Sequence, residues 1–262
     1  MEDWFRIIIL AVVQGIGEFL PISSSGHLLV LDHFFFGGGT AESEILALGI
    51  LLHAGTLFSI LVYFRKEILL LFAQNRRLIP LLITGTIPGA AVGFWVMKEC
   101  PYLEHSLPIT GTGFLATALF LILAAKKSIK DSGCSLRDIR YRDALVIGIF
   151  QAIAVFPGFS RSGFTFCGGL IRGLDRNAAA VFSFLLAIPI ISGAILLECC
   201  QLFREEADSG RIGSFITGGV ISFLIGIGAL AWFMRWIRMN RYERFAWWLI
   251  PLGIAVLSST LF

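Results

Sequence analysis

The sequence predicts an all-α integral membrane protein with six transmembrane helices and two re-entrant helical hairpins in an inverted-topology repeat. Three observations carry this prediction: a deficit of charge, six long uncharged segments, and two Ser/Gly-rich stretches that interrupt apolar segments. Only 15% of the 262 residues are charged, whereas soluble domains carry about 25%. That deficit excludes a soluble core of this size, and the net charge of +3 gives no indication of a nucleic-acid partner.

Six segments without Asp, Glu, Lys or Arg each approach the ~20 residues that cross a ~30 Å hydrocarbon layer. They are Ile45–Phe64, Leu78–Met97, Ser106–Ala125, Ala178–Leu197, Ile212–Met234 and Phe245–Phe262. Basic residues gather at Arg65–Arg77, Lys126–Arg142 and Arg235–Arg244, whereas Lys98–His105 and Arg204–Arg211 are neutral or acidic. Because cytoplasmic loops carry the excess of Lys and Arg, the first three connections are predicted inside and the other two outside.

That topology requires residues 143–177 to enter and leave the membrane on one face, and it places residue 44 outside. If residues 1–44 also turn back, as their local sequence indicates, both termini lie outside. Trp4–Glu18 is an apolar helical arm that meets a Pro- and Ser-rich turn, and its predicted return arm is His27–Phe36. Likewise, Ala144–Phe156 meets the turn Pro157–Gly163, and a short arm continues to about Gly173. The first return arm covers about 15 Å as a helix, which is half a bilayer.

The two hairpins resemble each other at a spacing of 137 residues. Gln14, Phe19, Ser23, Ser25 and Gly26 recur as Gln151, Phe156, Ser160, Ser162 and Gly163. Each half then holds one hairpin and three spanning helices, and this odd number gives the halves opposite orientations. We predict one polytopic domain over 1–262, with repeats at about 1–125 and about 143–262. Its site is expected near the midplane, where the broken helices meet.

Arg161 is the most informative residue of the second turn. An intramembrane Arg usually faces an anion or a wet cavity, and its planar fork suits two phosphate oxygens. Ser160, Ser162, Gly163 and Thr165 add hydroxyls and free amides, which together favour a phosphate cradle. The alternative is a structural salt bridge between Arg161 and Glu18.

The first turn supplies complementary chemistry through Glu18, His27 and three serines, Ser23, Ser24 and Ser25. A His can move a proton, and an adjacent Ser can act as a nucleophile. Alternatively, Glu18 and Gln14 hold a divalent cation, Mg²⁺ or Ca²⁺, through oxygen. In the structural alternative, the serines cap the return helix and His27 bonds to backbone.

Other polar and aromatic residues receive structural predictions. His53 is expected to make a helix–helix hydrogen bond, and Asp175 to cap a helix. Gly85, Gly89 and Gly93 form a stripe for close helix packing. Four tryptophans are expected to be interface anchors: Trp232, Trp236, Trp247 and Trp248.

The stretches Gln14–His27 and Pro157–Thr165 closely resemble the two signature motifs of the bacitracin-resistance type of undecaprenyl pyrophosphate phosphatase. The resemblance extends through Tyr63–Lys66, Gly85–Gly89 and Phe182–Pro189, and so covers nearly the whole chain. Two positions depart from the pattern: the first motif often begins with Glu, where this chain has Gln14, and Thr usually stands where it has Gly17. Gln binds a cation more weakly than a carboxylate does, so Gln14 would weaken any metal site in the first motif.

The resemblance implies hydrolysis of an isoprenoid lipid pyrophosphate in the bacterial cytoplasmic (inner) membrane, at a site open to the outer face. That reaction recycles the carrier lipid for peptidoglycan and gives bacitracin resistance. The expected catalytic residues are Glu18, Ser24, His27 and Arg161, and the expected substrate-binding residues are Gln14, Ser23, Ser25, Ser160, Ser162, Gly163 and Thr165. Membrane lipid and a second copy of the chain are the other expected partners. A competing hypothesis is a lipid-phosphate transporter or flippase. The predicted nucleophile and base favour the phosphatase, because transport needs neither.

Overall fold

The computed structural model describes residues 2–36, 42–127, 133–202 and 212–260, and these ranges are helical with no β-strand. The α-helices, in chain order, are α1 (Glu2–Gly17), α2 (Ser24–Leu31), α3 (Glu42–Tyr63), α4 (Arg65–Ala73), α5 (Leu78–Glu99), α6 (Leu107–Lys127), α7 (Tyr141–Ile153), α8 (Arg161–Ile171), α9 (Arg176–Leu202), α10 (Ile212–Arg238) and α11 (Ala246–Ser259). A π-helical turn, Asp32–Phe36, extends α2, and 3-10 turns lie at Pro101–His105, Leu136–Asp138 and Tyr242–Phe245. The all-α prediction is confirmed for the described part of the chain. The whole of the predicted outer loop Arg204–Arg211 and residues 128–132 of the basic loop lie outside it.

Within the described residues, five helices are long and apolar enough to cross a membrane, so the chain is a multi-pass membrane protein. The spans are Leu46–Tyr63, Leu78–Glu99, Leu107–Lys126, Arg176–Leu202 and Gly213–Arg238. They coincide with five of the six predicted segments. The sixth corresponds to α11, whose 14 residues cover about 21 Å, and its crossing of the membrane stays a prediction.

Large apolar side chains cover the outer surfaces of the spans and of the shorter helices α4 and α11. Those more than half exposed include Phe58, Leu69, Phe72, Ile87, Leu119, Leu196, Leu224 and Trp247. Soluble monomers rarely expose contiguous apolar patches beyond a few hundred Å². A surface of this kind is stable against hydrocarbon, in agreement with the spans.

Two pairs of shorter helices form helical hairpins. In the first, α1 has 16 residues and α2 has 8; in the second, α7 has 13 and α8 has 11. At 1.5 Å per residue, the longest arm covers about 24 Å, less than the hydrocarbon layer. Serines set where both return arms begin, and α2 starts at Ser24, three residues before the predicted His27.

Each hairpin packs on a long helix from the other half of the chain: α1 lies against α10, and α7 lies against α5. Glycines permit the close approach. A Cβ at Gly15 would lie 2.8 Å from the Ser222 carbonyl oxygen, and a Cβ at Gly148 would lie 2.5 Å from that of Gly85. The predicted role of Gly85 in close packing is therefore confirmed.

Two further structural predictions have clear outcomes. Asp175 caps α9, because its Oδ1 accepts a hydrogen bond from the Ala178 amide at 2.8 Å. Among the described residues, His53 has an ion-pair contact in place of the expected helix–helix hydrogen bond. Its Nδ1 lies 3.9 Å from Oε2 of Glu198 on α9, which is ion-pair distance and too long for a hydrogen bond.

Candidate active site

The first polar turn begins where α1 ends, at Gly17. A Cβ on Gly17 would lie 2.8 Å from the Cα of Ser24, so the missing side chain lets α2 fold back closely over the turn. Phe19 is fully buried, and its ring centroid lies 6.0 Å from that of Phe184 on α9. This aromatic contact anchors the turn to the core, and Glu18 is held beside it.

The second polar turn is fixed against α6. Gly158 has a φ of +85°, and a Cβ there would lie 2.1 Å from the Thr110 carbonyl oxygen, so glycine is required on both counts. Thr117 accepts a hydrogen bond from the Ser160 amide at 3.1 Å and donates one to the Gly158 carbonyl at 3.3 Å. One buried threonine therefore fixes the backbone of the turn on both sides of Phe159.

The two turns share one pattern of capping hydrogen bonds, as the 137-residue spacing predicts. The Ser23 hydroxyl accepts from the Gly26 amide at 3.3 Å, and the Ser160 hydroxyl accepts from the Gly163 amide at 3.1 Å. Each capping hydroxyl also lies beside the hydroxyl two residues later, at 3.4 and 3.2 Å respectively. Capping of the return helix is therefore confirmed for Ser23, and the structure shows the same cap at Ser160. A substrate contact by either residue stays a prediction.

The turns are in direct contact with each other. The Ser162 hydroxyl donates to the Leu20 carbonyl at 3.2 Å, and a Cβ at Gly163 would lie 3.1 Å from the Cβ of Pro21. The first residues of α2 and α8, Ser24 and Arg161, consequently point to one centre, although 137 positions separate them in the sequence.

Glu18 is that centre. Its Oε2 accepts hydrogen bonds from the Ser24 hydroxyl at 2.9 Å and from the side-chain Nε2 of Gln14 at 3.0 Å. Its Oε1 accepts a charge-assisted hydrogen bond from Nη2 of Arg161. The Glu18 and Arg161 side chains are only 9% and 14% exposed, so both charges depend on each other for compensation.

Two polar atoms of this cluster are buried without a partner among the described residues: Nη1 of Arg161 and Oε1 of Gln14. An unsatisfied buried polar group costs about 1–3 kcal/mol. The salt-bridge alternative is thus present in the structure, but it uses only one arm of the guanidinium. The other arm is available to a ligand oxygen.

His27 is fixed on three sides. Its Nδ1 lies 2.8 Å from the Ser23 carbonyl oxygen, and its ring packs edge-on against Phe114 at 5.1 Å between centroids. The indole Nε1 of Trp248 donates to its Nε2 at 2.8 Å. Because Nε2 accepts, the ring proton is on Nδ1 and His27 is neutral in this arrangement. The backbone contact expected in the structural alternative is therefore confirmed.

Two other predicted substrate-binding residues, Thr165 and Ser25, differ in their surroundings. Thr165 is fully buried; its hydroxyl donates to the Arg161 carbonyl at 2.7 Å and lies against the Ser183 hydroxyl. Ser25, by contrast, is exposed beside the first turn. The contacts of Thr165 steady the first turn of α8, and direct binding of substrate by Thr165 or Ser25 stays a prediction.

Sequence reasoning missed two contributors to the site, Thr117 and Trp248. Thr117 lies in an apolar segment without a polar neighbour, so no local pattern indicated its role. Trp248 was predicted to be an interface anchor, and only the fold shows its indole on His27. Contacts between residues this far apart in sequence leave no signal in either local stretch.

The expected divalent cation finds few protein ligands here. Both carboxylate oxygens of Glu18 already accept hydrogen bonds, one of them from a cation, and the described residues contain no group of three His, Cys, Asp or Glu side chains. Oε1 of Gln14 is the one orphaned acceptor beside Glu18. The described residues by themselves therefore do not build a closed cation site.

Comparison with known proteins agrees with this architecture. Residues 7–255 match the family model described as "Bacitracin resistance protein BacA". Over the full length of both chains, the sequence is 43% identical to a Rhodopirellula baltica protein named undecaprenyl-diphosphatase. It is 38% identical to undecaprenyl-diphosphatase 4 of a Bacillus cereus strain, over 98% of this chain and 97% of that one. It is 34% identical to undecaprenyl-diphosphatase of Idiomarina loihiensis, over 99% of each chain.

The fold and the site define an all-helical, multi-pass membrane protein with a buried polar centre between two Ser/Gly-rich turns. The extent of the match then gives the family: the chain belongs to the bacitracin resistance protein BacA family.

Proposed function

We propose that this protein hydrolyses undecaprenyl pyrophosphate to undecaprenyl phosphate and inorganic phosphate. The single observation that carries the proposal is the cluster at Glu18, where a hydroxyl and a half-free guanidinium meet on one buried carboxylate. A nucleophile, a base and an anion clamp are the parts that such a reaction needs. The names of the relatives support the choice of substrate.

In the proposed reaction, Arg161 turns its free Nη1 to the terminal phosphate and neutralises charge on it. As Arg161 engages phosphate, its hold on Glu18 weakens, and Glu18 becomes a better base for the hydroxyl of Ser24. The Ser24 oxygen attacks the terminal phosphorus, its proton passes to Glu18, and the P–O bond to undecaprenyl phosphate breaks. Water then cleaves the phosphoserine to give inorganic phosphate and restore Ser24.

His27 has no hydrogen bond to Ser24 or Glu18 among the described residues, so we assign it a separate role. We propose that His27 moves the proton of the second step, in which water attacks the phosphoserine. A water molecule held by Glu18 that attacks the pyrophosphate directly is the rival to Ser24. The two routes differ because only the first passes through a covalent intermediate.

We also propose that the two hairpins are re-entrant and that six helices span the membrane in an inverted repeat. Support comes from the short arms, the matching caps at 137-residue spacing, and the packing of each hairpin on the other half. The basic connections then face the cytoplasm, and the site opens outward from the bacterial cytoplasmic membrane. Labelling from outside should modify Tyr102→Cys and spare Asn240→Cys in a cysteine-free background; the reverse pattern excludes this topology.

A divalent cation would enter this site together with the pyrophosphate. Mg²⁺ commonly binds through one or two protein oxygens plus substrate phosphates, and Glu18 and Oε1 of Gln14 are the oxygens in place. Such an ion would neutralise phosphate charge, as Arg161 does. Self-association of the chain in the membrane also stays a proposal.

The rival function, transport of a lipid phosphate without cleavage, is not favoured by the relatives' names. Purified protein in detergent, supplied with undecaprenyl pyrophosphate, should release inorganic phosphate, and Glu18→Gln should reduce the rate by orders of magnitude because it removes the base. Asp143→Asn is the matched control, since Asp143 is another buried carboxylate paired with an arginine, outside the site. If wild-type protein and Glu18→Gln release phosphate equally, the proposal is wrong.

A further inference from the structure

The contact between Trp248 and His27 restricts what His27 can do. The indole N–H donates to Nε2 at 2.8 Å, and the two rings are nearly parallel, at 13° with centroids 6.2 Å apart. The Nδ1 proton bonds to the Ser23 carbonyl. Both ring nitrogens are thus engaged, and Nε2 cannot exchange a proton with water or substrate while the indole is in place.

Trp248 is placed so that it can release this contact. It lies in the first turn of α11, a short helix that packs on α6, and 56% of its surface is exposed. His27, by contrast, is held by Ser23 and by Phe114 of α6. Displacement of the contact therefore requires rotation of an exposed side chain and leaves His27 in position.

We propose that Trp248 is a positioning residue that fixes the tautomer of His27 in the free enzyme and leaves Nε2 when the lipid pyrophosphate binds. The proposal rests on the proposed function, since the bound lipid pyrophosphate is what displaces the indole. In the free enzyme Nε2 is protected, and in the complex it is free to move a proton. His27 can therefore move a proton only when substrate is bound.

The test compares Trp248→Phe, which keeps an aromatic ring but loses the N–H, with Trp247→Phe as the matched control. Trp247 is the adjacent residue and is 78% exposed. The pH profile of kcat/KM reports groups of the free enzyme, whereas that of kcat reports groups of the complex. His27 enters the kcat/KM profile through binding, because substrate must displace the indole from its Nε2. Loss of one neutral hydrogen bond to Nε2 should move the His27 limb of the kcat/KM profile up by about half a unit to one pH unit.

For Trp248→Phe we expect that shift in kcat/KM, a KM lowered several-fold because substrate no longer competes with the indole, and an unchanged kcat profile. Trp247→Phe should match wild type in all three. An unmoved kcat/KM profile overturns the proposal. Equal shifts in both profiles also overturn it, because the indole would then remain on His27 in the complex.

A second readout does not depend on turnover, so it separates failure of this inference from failure of the proposed function. Histidine ¹⁵N NMR in detergent micelles should show the His27 Nε2 resonance displaced in Trp248→Phe but not in Trp247→Phe. Addition of inorganic pyrophosphate to wild-type protein should move the resonance towards its position in Trp248→Phe. If the Trp248→Phe and wild-type resonances coincide, the hydrogen bond does not exist in solution and the inference is wrong.

Discussion

Replacement of Arg161 by Lys separates its two roles in the structure. The ion pair to Glu18 uses Nη2, and a lysine ammonium can retain that contact as a point charge. Nη1, which is buried without a partner among the described residues, has no counterpart in lysine. Arg161→Lys therefore keeps the internal pair and removes the group that we assign to the terminal phosphate.

The expected size of the effect follows from that one contact. A hydrogen bond to a charged group contributes about 1.5–3 kcal/mol, and each ~1.4 kcal/mol is tenfold in rate. We therefore expect kcat/KM for phosphate release to fall by about 10- to 150-fold. Thermal stability in detergent should change little, because Glu18 keeps a cationic partner.

The controls bracket this result. Arg172→Lys alters an arginine whose Nε donates to Asp143 at 2.8 Å away from the site, and it should retain wild-type kcat/KM. Arg161→Ala leaves a buried carboxylate uncompensated, so about 3–5 kcal/mol of stability should be lost as well. Near-normal turnover in Arg161→Lys would refute the argument, because no ligand of Nη1 would then contribute to the reaction.

Three further predictions test other parts of the site. Ser24→Ala should abolish labelling of the protein by a ³²P-labelled lipid pyrophosphate in acid-quenched samples. If Ser24→Ala keeps its activity and the wild-type protein is not labelled, the attacking group is water. Gly158→Ala should lower thermal stability by at least about 1–3 kcal/mol through strain at φ +85° alone, with more from the Thr110 contact; an unchanged melting temperature contradicts the required glycine. Gln14→Glu places a second carboxylate beside Glu18, so half-maximal activity should need less Mg²⁺ than wild type when EDTA-treated protein is titrated; an unchanged requirement removes Gln14 from the proposed cation site.

The hairpins were predictable because their signals are local. Pro21, the three adjacent serines and Pro157 interrupt apolar segments that are too short to span, and the structure breaks both helices there. The start of α2 was predicted three residues late, because the caps could not be assigned among adjacent serines. Ser23 takes the cap with a φ of 68°, a conformation that no sequence pattern announces.

The residue types of the site were predictable from the sequence, but the contacts between them were not. Glu18 and Arg161 stood out as intramembrane charges, and their pairing was one of two alternatives until the fold joined residues 143 positions apart. Trp248 lies 221 positions from His27, and a tryptophan near a helix end has an ordinary explanation at a membrane interface. Such contacts are set by the packing of α11 on α6, which no single segment encodes.

The central claim is that the chain cleaves its lipid substrate between the two phosphates, and product analysis tests it most directly. Purified protein in liposomes is incubated with undecaprenyl pyrophosphate, and lipid and aqueous products are identified by mass spectrometry. We predict undecaprenyl phosphate and inorganic phosphate in a one-to-one ratio, with neither formed by Glu18→Gln. Release of intact pyrophosphate, or movement of uncleaved lipid between leaflets without inorganic phosphate, would contradict the account.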